Sequence, residues 1–149
     1  LDQPTIFPNL LNISKTEKLN IQAENIIAYG MLESDFNLSG KKIVYDPQTS
    51  IKPNKFSDFG CAQELVYIVN MKEAQSLASS YEIADIKSFF FSNEKAAAFI
   101  IKNGPYGATL YYNNKEVNIP SYITENVFKI YCLLLRQKSI RRCYSNGQF

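Results

Sequence analysis

Residues 65–74 read Leu65-Val66-Tyr67-Ile68-Val69-Asn70-Met71-Lys72-Glu73-Ala74. The first five residues form an unbroken apolar run, which is typical of a buried strand. The next five begin as many helices do, with an asparagine that has a glutamate three positions later. This segment therefore predicts a strand that passes directly into a helix, the repeating unit of a sheet that is mainly parallel and covered by helices.

The first half of the chain contains two further apolar runs of strand length. One is Asn25–Tyr29, closed by Gly30, and the other is Lys42–Tyr45, closed by Asp46-Pro47. Both predict buried strands. Before the first run we expect one more strand at 4–7 and a polar connection over 8–23. Between the two runs we expect a helix of a turn or two within 31–40. After the second run we expect a loop over 48–60, which is rich in Pro, Ser and Asn.

The second half continues the alternation of helix and strand. Residues 83–91 predict a helix whose core face carries Ile83, Ile86, Phe89 and Phe90. Two strands are expected at 96–101 and 108–112, on either side of a glycine-containing bend. Asn113-Asn114 suits a tight turn, so that residues 107–119 predict a β-hairpin that Pro120 ends.

Composition limits what kind of protein this is. The 149 residues are 46% hydrophobic and 20% charged, which suits one globular domain. No apolar stretch approaches the roughly 20 residues of a membrane helix, and the first 20 residues do not have a signal-peptide layout. We therefore expect a soluble, cytoplasmic protein. The chain has no histidine and no Cys-x-x-Cys pair, which argues against zinc binding and against Ser-His-Asp or Cys-His catalysis.

Charge divides the chain near residue 130. Residues 1–130 carry all 14 acidic side chains against 12 lysines, whereas residues 131–149 carry one lysine and all three arginines without any acid. We expect an α/β domain over 1–130 and an atypical basic tail over 131–149. The tail is open to three interpretations: a basic arm for nucleic acid or an acidic membrane surface, a solvated helix end, or an extension foreign to the domain. Neither nucleic acid nor a membrane is our expected partner.

A glycine-containing bend follows the strand at 96–101. It reads Lys102-Asn103-Gly104-Pro105-Tyr106-Gly107. Backbone N–H groups on such a bend can approach phosphate oxygens closely, because glycine has no side chain to intervene. The same pattern also suits an ordinary bulged hairpin.

Asn70 and Glu73 likewise have two interpretations. They can form a helix-capping pair, in which each satisfies a backbone N–H group at the helix start. Alternatively, Glu73 can hold Mg²⁺ through water while Asn70 orients a phosphate oxygen, because magnesium keeps most of its waters.

Taken in order, three segments between about Asn25 and Ile130 make the chain resemble the ribokinase-like (PfkB) family of carbohydrate kinases. Asp46-Pro47-Gln48 is similar to the family's Asp-Pro-Asn turn, Asn70-Met71-Lys72-Glu73 to its Asn-x-x-Glu motif, and residues 102–107 to its nucleotide loop. The resemblance implies a three-layer, Rossmann-like α/β fold that binds ATP and Mg²⁺ along the carboxyl ends of the strands. It implies that Asn70 and Glu73 face phosphate and metal.

By the same resemblance, Lys102, Gly104 and Gly107 border the nucleotide. Asp46 needs no function in a turn before proline and is left out of the expected site.

The chain departs from the family where catalysis takes place. Val127-Phe128-Lys129-Ile130 resembles the approach to the family's Gly-Ala-Gly-Asp segment, but Tyr131-Cys132-Leu133 follows, and no Gly-x-Gly-Asp occurs anywhere. The family's substrate-binding half also has no counterpart here. We therefore expect a partial or degenerate kinase for a sugar or nucleoside, with no catalytic residue of its own. The alternative is a non-catalytic nucleotide-binding or protein-interaction module, and uncovered apolar area predicts self-association.

Overall fold

The computed structural model describes residues 16–30, 34–48 and 52–122. Within these ranges, six strands form one mixed sheet in which they lie in chain order. The strands are β1 (Thr16–Tyr29), β2 (Ser34–Asp46), β3 (Gly60–Asn70), β4 (Ala98–Lys102), β5 (Ala108–Tyr112) and β6 (Lys115–Ile119). The pairs from β1 to β4 are parallel, and β5 and β6 continue the sheet antiparallel.

The connection from β3 to β4 is helical and covers one face of the sheet. It consists of α1 (Met71–Ala78), α2 (Ile83–Ser88) and a π-helical turn at Phe89–Asn93. Alternate residues of a strand point to opposite faces, and on β3 and β4 the alternate residues that point to the helices are almost completely buried. They are Leu65, Tyr67, Val69, Phe99 and Ile101.

Aromatic rings fill the space between these helices and the sheet. Phe90 stacks on Phe99 with ring centroids 4.5 Å apart, and Phe99 stacks on Tyr111 at 4.6 Å. Tyr67 meets Phe90 edge to face at 4.9 Å. Such pairs add to the free energy gained from burial alone, so this cluster anchors the helical connection to the middle of the sheet.

The buried side of β2 changes where the strand passes Gly40. Phe36 and Leu38 are buried before Gly40, whereas Ile43 and Tyr45, of the opposite parity, are buried after it. Phe59 packs edge to face against both halves, 4.7 Å from Phe36 and 5.3 Å from Tyr45. A side chain at Gly40 would place its Cβ 2.6 Å from the carbonyl oxygen of Ala23 on β1, so the close approach of the two strands requires glycine at this position.

The face of the sheet opposite the helices is apolar and is not buried. We call it the open face. In the described residues its side chains are half-buried or exposed, and Ile27 is 75% and Ile119 49% exposed. Its apolar residues are Ile27, Val44, Val66, Ile68, Ala98, Ile100, Leu110, Tyr112, Val117 and Ile119. The same register places Lys42 and Glu64 on this face toward the amino ends of the strands, and Asp46, Asn70 and Lys102 on it at the carboxyl ends.

Several sequence predictions are confirmed. The fold is of the α/β type, β3 passes directly into α1, and residues 108–119 form the expected hairpin, with Asn113 and Asn114 at positive φ. The helix expected over 83–91 is present but ends in the π-helical turn, and Ile83 is 39% exposed rather than part of the core. No helix in the described ranges has the length and apolar character needed to cross a membrane.

Two predictions in the first half are wrong. Residues 16–23 are the first part of β1 rather than a polar connection, and residues 34–40 are strand rather than helix. Long-range packing explains both, because Phe36 and Leu38 bury themselves against the core while the two strands pair along most of their length. The strand expected at 4–7 and the tail at 131–149 lie outside the described residues.

Candidate functional site

The carboxyl ends of β2, β3 and β4 lie side by side and bring polar residues together. Asn70 and Lys102 are direct partners in the pairing of β3 with β4. The Lys102 ammonium donates to Oδ2 of Asp46, which lies one strand beyond Asn70, with an Nζ to Oδ2 distance of 2.7 Å. We call Asp46, Asn70, Glu73 and Lys102 the rim. The segments at 70–73 and 102–107, predicted separately, therefore border the same edge of the sheet.

Asn70 and Glu73 form a complete capping box at the start of α1. The Glu73 N–H donates to Oδ1 of Asn70 at 2.9 Å, and the Asn70 N–H donates to Oε2 of Glu73 at 2.8 Å. These two bonds give both side chains a structural role that needs no ligand. Capping of the helix is therefore sufficient to explain the Asn-x-x-Glu pattern without a metal. Mg²⁺ held through water would not compete with these two hydrogen bonds.

Glu73 is almost completely buried, because the whole residue is only 2% exposed. Burial raises its pKa, and the nearby Asp46 carboxylate acts in the same direction. The hydrogen bond from Asn70 and the charge of Lys102 act against the rise without cancelling it. A negative charge on Glu73 is therefore costly, and additional positive charge near the rim would relieve it.

Asp46 is the rim residue that the sequence prediction missed. Its side chain is 15% exposed, compared with 38% for Lys102. Gln48 donates to it twice, from its backbone N to Oδ1 at 3.3 Å and from Nε2 to Oδ2 at 2.8 Å. The sequence signal for Asp46 is a carboxylate at the end of a predicted parallel strand. The proline that follows it favours a plain turn, which explains Asp46 without a function.

The bend at 102–107 is held by its own backbone. The N–H groups of Asn103, Tyr106 and Gly107 donate to the carbonyl oxygens of Gly107, Asn103 and Gly104 respectively, at 2.8 to 3.2 Å. Three amides are therefore occupied within the bend and do not point freely at an anion. In this conformation the bend does not form the open cradle of N–H groups that a phosphate loop offers.

The two glycines of the bend differ in their surroundings. Gly104 has φ +59°, and a Cβ there would meet nothing within 4 Å, so the space beside it is open to a ligand. Gly107 has φ +94°, and a Cβ would lie 2.0 Å from the carbonyl oxygen of Ile119. Packing against the end of β6 is thus sufficient to explain glycine at 107, whereas at 104 only the backbone conformation favours it.

The rim as a whole offers one cation, one amide and two carboxylates. Lys102 can contact a phosphate oxygen, and the Asn70 amide can contact a phosphate or hydroxyl group. No three histidine, cysteine, aspartate or glutamate side chains come together as a metal site in the described part of the chain. Any metal at the rim would therefore arrive with a ligand that supplies most of its coordination.

Comparison with known proteins gives no match. No protein-family model, no curated protein and no solved structure matches this chain.

Proposed function

We propose that this chain is a partial or degenerate module of the ribokinase-like (PfkB) type that binds ATP with Mg²⁺ at the rim. The observation that supports this most is the pairing of Asn70 with Lys102 at the carboxyl ends of parallel strands, the edge at which open α/β sheets bind ligands. The segments at 70–73 and 102–107 are about thirty residues apart in sequence. If they bind one nucleotide, they must lie side by side at the rim.

Four of the expected site residues have a role in this proposal. Lys102 contacts a phosphate oxygen, and the open side of Gly104 borders the nucleotide. Glu73 holds Mg²⁺ through water, because its Oε2 already accepts from the Asn70 N–H. Gly107 supports the bend rather than the ligand. In this proposal the complete fold is the three-layer form of the family, with a second helical layer over the open face.

Catalysis is not part of the proposal. Phosphoryl transfer to a sugar or nucleoside hydroxyl needs a base, and the sequence has no Gly-x-Gly-Asp segment to supply one. We expect nucleotide binding with little or no transfer to an acceptor.

Calorimetric titration tests the binding. We expect heat when ATP with Mg²⁺ is added at micromolar to millimolar concentration, and at least a tenfold loss of affinity in Lys102→Met. Lys42→Met is the matched control, because Lys42 pairs with Glu64 on the same sheet, four residues before the end of β2. A folded protein that gives no heat at millimolar nucleotide would refute the proposal.

A second candidate function is protein interaction through the open face. Its exposed apolar side chains favour association with another protein surface, most simply a second copy of the chain. This candidate needs no nucleotide and is compatible with the loss of catalysis.

A further inference from the structure

The ion pair at the rim joins a fixed carboxylate to a more exposed ammonium. Asp46 is held on both oxygens by Gln48 and is largely covered, whereas more than a third of the Lys102 side chain is exposed. Lys102 reaches across β3 to make this contact, from the end of β4 to the end of β2. Of the two partners, Lys102 is the one that can turn toward a ligand.

The charges at the rim do not favour a bare anion. Lys102 is already neutralised by Asp46, and Glu73 adds a second carboxyl close enough to interact with both. A phosphate that drew Lys102 away would leave Asp46 largely covered without its counter-ion, beside the phosphate's own negative charge. A divalent cation carried by the phosphate would offset this repulsion.

We propose that Asp46 is a specificity-determining residue that, by holding Lys102, prevents the rim from binding metal-free polyphosphate and selects polyphosphate that carries a divalent cation. This inference rests on the proposed function, because it concerns the same rim. It assigns a role to a residue that the sequence motifs leave unused, and the role follows from the 2.7 Å pair and the surrounding charges.

The test compares Asp46→Asn with the wild type, using two probes. Tripolyphosphate in the presence of a chelator measures metal-free anion binding, and ATP with Mg²⁺ measures the proposed function. Asparagine has the size of aspartate and keeps an oxygen that can accept from the Gln48 N–H. We expect Asp46→Asn to bind metal-free tripolyphosphate at least fivefold more tightly than the wild type, a larger change than it shows for ATP with Mg²⁺, so that its preference for the metal-bound ligand falls.

Two controls isolate the effect. Glu64→Gln changes the net charge equally and breaks the Lys42 to Glu64 pair instead, so its affinity for tripolyphosphate should stay at the wild-type value. Adding Lys102→Met to Asp46→Asn should abolish the gain. Gln48→Ala loosens Asp46 without changing any charge and should give a smaller gain, which keeps the test available if Asp46→Asn does not fold.

The outcomes separate the two proposals. A gain in Asp46→Asn that depends on Lys102 supports the role of Asp46, even if ATP with Mg²⁺ does not bind and the proposed function fails. Equal tripolyphosphate affinity in Asp46→Asn, Glu64→Gln and wild type, together with clear binding of ATP with Mg²⁺, overturns the role of Asp46 and leaves the proposed function intact. Absence of binding by every variant to either probe overturns both.

Discussion

At the scale of single residues, one buried carboxyl contributes both to the fold and to the rim. Glu73 caps α1 and also lies within the electrostatic influence of Asp46 and Lys102. The Asn-x-x-Glu spacing by itself favours the capping box, and only the resemblance to the kinase family adds the rim interpretation of the same residues. It did not predict the pair of Asp46 with Lys102, since residues 56 positions apart show no relation in a single sequence.

The raised pKa of Glu73 predicts a pH dependence of stability. A carboxyl whose pKa is higher in the folded state contributes stability below its ordinary pKa of about 4.5 and loses it as the pH rises through the folded value. Glu73→Gln keeps the capping geometry but cannot ionise. We therefore expect the free energy of unfolding of wild type relative to Glu73→Gln to decrease between pH 4.5 and pH 7.5, as measured by urea denaturation. A difference that increases with pH would contradict this account.

A second prediction concerns the buried Glu94. Its carboxylate accepts from the Ser57 N–H and hydroxyl and, at 2.5 Å, from the Tyr67 hydroxyl, which itself accepts from the Phe56 N–H. Burial raises the pKa of Tyr67, so its hydroxyl stays protonated.

Tyr67→Phe leaves the Phe56 N–H without its partner and should cost about 1–3 kcal/mol in free energy of unfolding. The control Tyr81→Phe changes a side chain that is 85% exposed and should cost nothing measurable. Equal stability of the two variants would show that the Glu94 network contributes no net stability.

At the scale of elements, those that neighbouring residues specify were predicted from sequence, whereas those that depend on long-range pairing were not. The strand-to-helix unit at β3 and α1 and the hairpin of β5 and β6 were predictable because capping and turn residues specify them within a few positions. The first parts of β1 and β2 were not, because the polar composition of 16–23 favoured a connection and the short segment 31–40 favoured a helix of a turn or two. Their strand conformation depends on pairing with each other and on the aromatic contact at Phe59.

The bend at 102–107 provides the element-scale prediction. Gly107→Ala should destabilise the protein by at least 2 kcal/mol more than Gly104→Ala, because both have positive φ but only residue 107 lies against backbone atoms of the segment that follows β6. Denaturant unfolding measures both costs. Similar costs would mean that the end of β6 does not pack against the bend, and the rim would then lose its support.

At the scale of the whole molecule, the apolar open face is the most conspicuous surface. A face on which Ile27 and Ile119 are exposed favours self-association, which stays a prediction. The sequence alone did not show which face would be exposed. Alternate residues along each strand point to opposite faces, and in β3 and β4 both sets of residues are largely apolar.

Light scattering over a concentration series tests the open face. We expect the wild type to associate as its concentration rises, and Ile27→Lys to shift the equilibrium toward monomer. Tyr81→Ser is the control, because Tyr81 is 85% exposed, compared with 75% for Ile27, but lies between α1 and α2. A wild type that remains monomeric throughout would exclude self-association through the open face.

The most direct test of the rim is hydrogen exchange with and without ATP and Mg²⁺. If one nucleotide binds at the carboxyl ends of β3 and β4, amides at 70–73 and at 102–107 should both gain protection at the same ligand concentration, while Asn113 and Asn114 at the far turn of the hairpin should not change. Protection of only one of the two segments, or of neither, would contradict the claim that they form a single nucleotide site.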